Sequence, residues 1–222
     1  MQLSTLILVS CLSIFFGAGF SPGSSLGVTA LARAVDEHYN QLRTLQAEFT
    51  EVYRGAGVER TESGTLWLKK PGKMRWEYRS PREKLFLSDG KSVWLYVKGD
   101  RQVRKTAAKQ LDDVRSPLAF MLGKLKLEKE LQGLSTAVDL SPWMAGDTLL
   151  RGVPRGMEDR ISSVVVEITP QQQIARIVIE EPDGASTEFR FEQQRENADV
   201  SDGEFRFETP AGVEVIDGGF NP

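Results

Sequence analysis

Residues 64–97 read GTLWLKKPGKMRWEYRSPREKLFLSDGKSVWLYV, and the way this stretch alternates decides the fold. Met74, Trp76 and Tyr78 fall on one side of an extended chain, and Lys73, Arg75, Glu77 and Arg79 on the other. Lys70-Pro71-Gly72-Lys73 before them spells a hairpin turn, with proline presetting φ and glycine supplying the positive φ that a type II turn needs. Ser88-Asp89-Gly90-Lys91 is a second turn, carried by Asp-Gly. Three or four antiparallel strands therefore follow one another here, bearing Trp67, Trp76, Trp94, Tyr78 and Tyr96.

Composition narrows what such a sheet can do. The chain has 222 residues, and 28 basic against 31 acidic side chains leave a net charge of −3. No basic excess marks a nucleic-acid binder. Cysteine occurs once, at Cys11, and histidine once, at His38, which removes most zinc and nucleophile–base chemistry. The adjacent carboxylates Asp112 with Asp113 and Glu180 with Glu181 read as solvated charge. Nothing here points to an enzyme, a metal or a cofactor.

No charged residue precedes Arg33, and Leu3–Phe16 is apolar enough for the h-region of a signal peptide, with Gly17-Ala18-Gly19 as cleavage-site residues. The basic n-region is missing, and Leu8-Val9-Ser10-Cys11 looks like a lipobox. A cleaved export signal, a lipoprotein signal acylated at Cys11 and an uncleaved anchor are the three readings of residues 1–26. Beyond them residues 27–222 leave roughly 195 positions, suited to one domain with a sizeable core.

Val28, Leu31, Val35, Tyr39, Leu42 and Leu45 recur near the helical period, with Thr29 as a possible cap and His38 at the edge of that face. Ala47–Tyr53 reads as a strand, Arg54–Ser63 as a polar loop, and Asp100–Lys105 as at most a charged edge strand. Between Thr106 and Leu131 the composition turns helical. Ser116-Pro117 starts a helix whose apolar stripe is Leu118, Met121, Leu122 and Leu125, with Phe120 beside it. Strands return from Leu149: Ser162–Thr169, Ile174–Glu181, Thr187–Glu192 and Glu204–Glu208. About 10–11 short strands with two helical insertions predict a mainly β fold, a strongly curved antiparallel sheet or unclosed barrel with helices on its concave side.

The runs KKPGKMRWEY (69–78) and SDGKSVWLY (88–96), together with FRFETPAGVEV (205–215), resemble the periplasmic lipoprotein carrier (LolA-like) family, from about Leu31 to Ile216. The resemblance implies an unclosed barrel covered by a helical lid, with acyl chains held in its cavity. It implies cavity residues Phe49, Leu66, Met74, Trp76 and Trp94; taken singly, Phe49, Leu66, Met74 and Trp76 read rather as core, and it is the resemblance that turns the set into a cavity. Leu118, Phe120, Met121, Leu122 and Leu125 are the implied lid. Lys70 stands where the family usually has an arginine that latches the lid; lysine keeps the charge without the planar fork of donors. Phe189, Phe191, Phe205 and Phe207 read as core.

By the same resemblance the chain is a periplasmic, monomeric, non-enzymatic chaperone. It takes acylated lipoproteins from an inner-membrane lipoprotein-releasing ABC transporter and passes them to an outer-membrane lipoprotein acceptor. Two other readings stay open: an outer-membrane receptor of the same fold anchored through acylated Cys11, and a periplasmic domain that senses a lipid or a protein.

Overall fold

The computed structural model describes residues 27–111 and 126–218. Residues 1–26, read above as a leader, and Leu118, Phe120, Met121, Leu122 and Leu125, expected as the lid, lie outside the described residues. Among the described residues one sheet holds twelve strands: β1 (Thr44–Gly55), β2 (Val58–Lys69), β3 (Lys73–Ser80), β4 (Lys84–Asp89), β5 (Ser92–Val97), β6 (Gln102–Ala107), β7 (Leu131–Thr136), β8 (Thr148–Pro154), β9 (Ser163–Ile168), β10 (Ile174–Glu180), β11 (Ser186–Glu196) and β12 (Glu214–Asp217). Their order is β12-β6-β5-β4-β3-β2-β1-β11-β10-β9-β8-β7, antiparallel throughout except for the parallel pair β12–β6. The two ends do not pair, so the curved sheet stays open. Helix α1 (Val28–Gln41) lies across its inner face, with the single turn α2 (Leu127–Glu130) beside it. No helix among the described residues is long and apolar enough to cross a membrane.

The strand that anchors the reading of the sequence behaves as its alternation requires. Met74 and Trp76 are buried opposite Leu68 and Leu66 of β2, while Arg75 and Glu77 face the other way. Gly64 sits opposite Tyr78, where a Cβ would come within 1.9 Å of the Glu77 carbonyl oxygen. Only glycine lets β2 and β3 close at that point. Gly72 takes its positive φ of 68°, and the Lys70–Pro71 peptide is cis. Asp89 fastens the second turn, its carboxylate accepting from the amides of Lys91 and Ser92 at 2.7 Å each.

Several expectations change. Arg54–Ser63 is no loop: β1 and β2 run on to a two-residue turn, Ala56-Gly57, with φ of 49° and 75° as a type I′ hairpin needs. Polar side chains hid this half of the hairpin, which is held by the ladder and by ion pairs such as Arg54–Glu59 at 2.8 Å. Helix α1 ends at Gln41, because Leu42 is already extended, and Gly27 rather than Thr29 occupies its N-cap. Strand β6 is not an edge, since β12 covers it. Glu204–Glu208 is not a strand: a 3-10 turn at Asp202–Phe205 carries the chain across the outer face of β3 and β4. Phe205 is fully buried there, and Phe207 stacks on Trp94 with ring centroids 5.8 Å apart.

A second strap covers the outer face at the other end. The buried carboxylate of Glu167 accepts from the amides of Trp143 and Met144 at 2.6 and 3.2 Å and pairs with Arg176 at 2.7 Å. Ala137, Leu149 and Val165 form a small apolar cluster there. Both faces of the sheet therefore carry apolar packing, but the large cluster lies inside, beneath α1.

Candidate functional site

The inner face draws its apolar residues from nine strands, and four aromatics gather around one. Phe49 lies 4.6 Å from Trp76 by ring centroids, Phe189 5.9 Å, Phe191 6.2 Å and Tyr78 6.4 Å. Pairing brings them together: Phe49 faces Phe191 across β1–β11, and Leu66 faces Trp76 across β2–β3. Four of the five proposed cavity residues, Phe49, Leu66, Met74 and Trp76, thus share one buried face. Trp94 does not. It pairs with Leu87, which pairs with Arg75, and all three stand on the outer face. Trp94 is thereby withdrawn from the cavity wall.

In this state the inner face is filled. Ala32, Val35 and Tyr39 of α1 are buried into the cluster, with Leu42 just beyond the helix. Val28 and Leu31 pack at the edge of the cluster, and polar contacts lie around the helix rim. Lys70 Nζ donates to the carbonyl oxygens of Tyr39 and Asn40 at 2.6 and 3.1 Å. A cation at carbonyls of a helix C-terminus is favoured by both hydrogen bonding and the helix dipole. Burial pulls the Lys70 ammonium below its ordinary pKa. Arg33 pairs with Glu128 at 3.0 Å, His38 with Glu196 at 2.8 Å, and Asp36 accepts from the Leu127 amide at 2.8 Å. The Tyr39 hydroxyl accepts from the Ile174 amide at 2.9 Å, and burial raises its pKa. Lys70 is thus bonded to the C-terminal end of α1, while the lid that it was expected to latch, Leu118 to Leu125, lies outside the described residues.

Two features border this core. Toward the far ends of β1 to β4 stands a polar group: Tyr78 donates to Glu51 at 2.8 Å, and Lys84 pairs with Glu62 at 2.6 Å while lying 3.9 Å from the Tyr78 ring centroid. Burial raises the Glu51 carboxyl above the usual range. Beside the N-terminus of α1 a groove of about 690 Å³ opens between Val28, Leu31, Ala137, Leu140 and Leu149. Val28 and Leu31 also pack on the main cluster, so the groove reaches its edge. No cluster of three metal-ligating side chains occurs among the described residues.

An open twelve-stranded sheet with one helix across its apolar face invites comparison with known proteins. Residues 40–208 match the family model described as outer membrane lipoprotein carrier protein LolA. The chain belongs to that family. Among its relatives are outer-membrane lipoprotein carrier proteins of Chromobacterium violaceum, 30% identical over 79% of this chain and 82% of the other, and of Nitrosospira multiformis, 26% identical over 93% and 96%. Solved structures show the same fold at low identity. An uncharacterized conserved protein of Thermus thermophilus is 11% identical with a TM-score of 0.56, covering 85% of this chain and 97% of that one. The Mycobacterium tuberculosis lipoprotein LppX is 12% identical with a TM-score of 0.52, covering 78% and 97%.

Proposed function

We propose that this carrier-family member is a periplasmic chaperone that shelters the acyl chains of lipoproteins between α1 and the inner face of the sheet. It carries them from the inner to the outer membrane as a monomer, exported by residues 1–26. It receives cargo from an inner-membrane releasing complex and gives it to an outer-membrane acceptor, with no catalytic step. One observation carries this reading. The larger of the two buried apolar clusters among the described residues is covered by a short helix that adds polar contacts at its rim to its own apolar packing.

The energetics favour such a device. Each methylene taken from water is worth about 0.8 kcal/mol, so two long acyl chains supply far more than a carrier that must release them can keep. Filling the empty core with Ala32, Val35 and Tyr39 offsets much of that gain, because loading must first lift them out. Lys70 is the proposed latch, and Phe49, Leu66, Met74 and Trp76 the proposed walls. Leu118, Phe120, Met121, Leu122 and Leu125 are proposed to add to the cover. The groove beside Val28 and Leu31 is the proposed entrance.

The test is a diacylglyceryl-cysteine peptide carrying a photoreactive diazirine in its acyl chains. Crosslinks should map to Phe49, Leu66, Met74 and Trp76. Labelling confined to the outer face, at Trp94 or Trp143, or no specific labelling at all, would overturn the proposal.

A further inference from the structure

The inner cluster contains three aromatic side chains with a polar atom, and in two of them that atom has a hydrogen-bond partner. The Tyr39 hydroxyl accepts from the Ile174 amide at 2.9 Å, and the Tyr78 hydroxyl donates to Glu51 at 2.8 Å. Trp76 is the exception. It is 1% exposed, and its Nε1–H has no acceptor among the described residues. A buried donor without an acceptor carries its full desolvation cost, which phenylalanine in the same place would avoid. Its strand β3 is paired on both sides, with β2 and β4, and its ring neighbours are Phe49, Phe189, Phe191 and Tyr78. The donor is thus fixed by packing, surrounded by rings, and open only to something that enters the core.

We propose that Trp76 Nε1–H is a specificity determinant that donates a hydrogen bond to the ester carbonyl at the head of a bound acyl chain. This rests on the reading that acyl chains enter the inner face. A hydrocarbon tail offers no acceptor, and an ether oxygen is a poor one. An ester carbonyl is an uncharged acceptor that can follow its chain among aromatic rings without bringing a charge. Apolar burial alone grips any chain of the right length, whereas one fixed donor tells an acyl group from an alkyl group. Specificity then comes from the difference between a satisfied and an orphaned N–H.

The experiment compares two probes on the full-length protein: a dipalmitoylglyceryl-cysteine peptide and its di-O-hexadecyl ether analogue. The ester should bind roughly tenfold tighter, the discrimination expected of one buried hydrogen bond, and Trp76→Phe should bind both at the ether's level. Equal binding of the two probes to the unaltered protein, or a preference that survives Trp76→Phe, overturns the role of Trp76 and leaves acyl-chain uptake standing. Failure of both probes to bind overturns uptake, and this inference with it. Should Trp76→Phe not fold, the indole proton of Trp76, assigned through its contacts with Phe49, gives a second readout. It should move downfield with the ester and not with the ether; an unmoved resonance overturns the proposal.

Discussion

Lys70 and Asp202 are single charges that hold two different parts of the chain, α1 and the C-terminal strap. Lys70 grips two neutral carbonyls of α1 rather than a carboxylate, from a half-exposed position. Lys70→Ala should therefore cost only about 1.5 kcal/mol of stability, the low end for a charged hydrogen bond, while Lys70→Arg should restore it. The sharper signature is faster amide exchange in residues 36–41 of the alanine variant at unchanged exchange in β9 and β10. Asp202 instead lies between Lys69 and Lys73, at 2.8 and 2.9 Å, and pins the C-terminal strap to the β2–β3 turn. These partners hold its carboxyl at about 2, against 3.8 unperturbed. A depressed carboxylate pKa stabilises above the unfolded value, so this contribution is complete above pH 4 and lost as pH falls toward 2. A carbonyl-detected NMR titration should place Asp202 near the bottom of that window, and Asp202→Asn should abolish the strap's acid sensitivity there.

Elements differ in how plainly their residues announced them. Strand β3 and the second half of β2 were legible, because Met74, Trp76 and Tyr78 alternate with charge and the nearby turns carry Pro-Gly and Asp-Gly, whereas the polar first half of β2 was not. Strand β5, Ser92–Val97, has five apolar residues in a row, so alternation gives no inside or outside. That is why Trp94 was assigned to the cavity when it stacks on Phe207 outside. The Phe205 strap misled for a related reason: Phe205-Arg206-Phe207 has the period of a strand, yet it covers a sheet face instead of extending a sheet. Strands β7 and β12 are short and mixed in composition, below what periodicity can detect. Helix α1 was legible from its stripe, but its attachment was not, because Lys70, Asp36 and His38 meet partners between 30 and 158 positions away. As a cover, α1 should respond to cargo and the sheet should not. Hydrogen exchange with an acylated peptide should speed in α1 and stay constant in β1, β2 and β11; uniform protection of α1 would mean that the ligand sits elsewhere.

At the scale of the whole molecule, the open sheet divides its labour between two faces. Outside, two straps are anchored by Phe205 and by the pair of buried Glu167 with Arg176. Inside, the larger apolar cluster is closed by a helix that buries three side chains, packs Val28 and Leu31 at the cluster's edge and is tied by hydrogen bonds at its rim. A protein that needed only stability would gain by anchoring both faces alike. The asymmetry makes physical sense if one face has to open while the sheet keeps its shape. Native mass spectrometry of the mature protein with a diacylglyceryl-cysteine peptide tests this most directly. The expected result is a one-to-one complex that survives gentle ionisation and is lost when Phe49 and Met74 are replaced by charged residues. A mass that stays that of the empty protein at saturating peptide would contradict it, and would make the inner face an ordinary core.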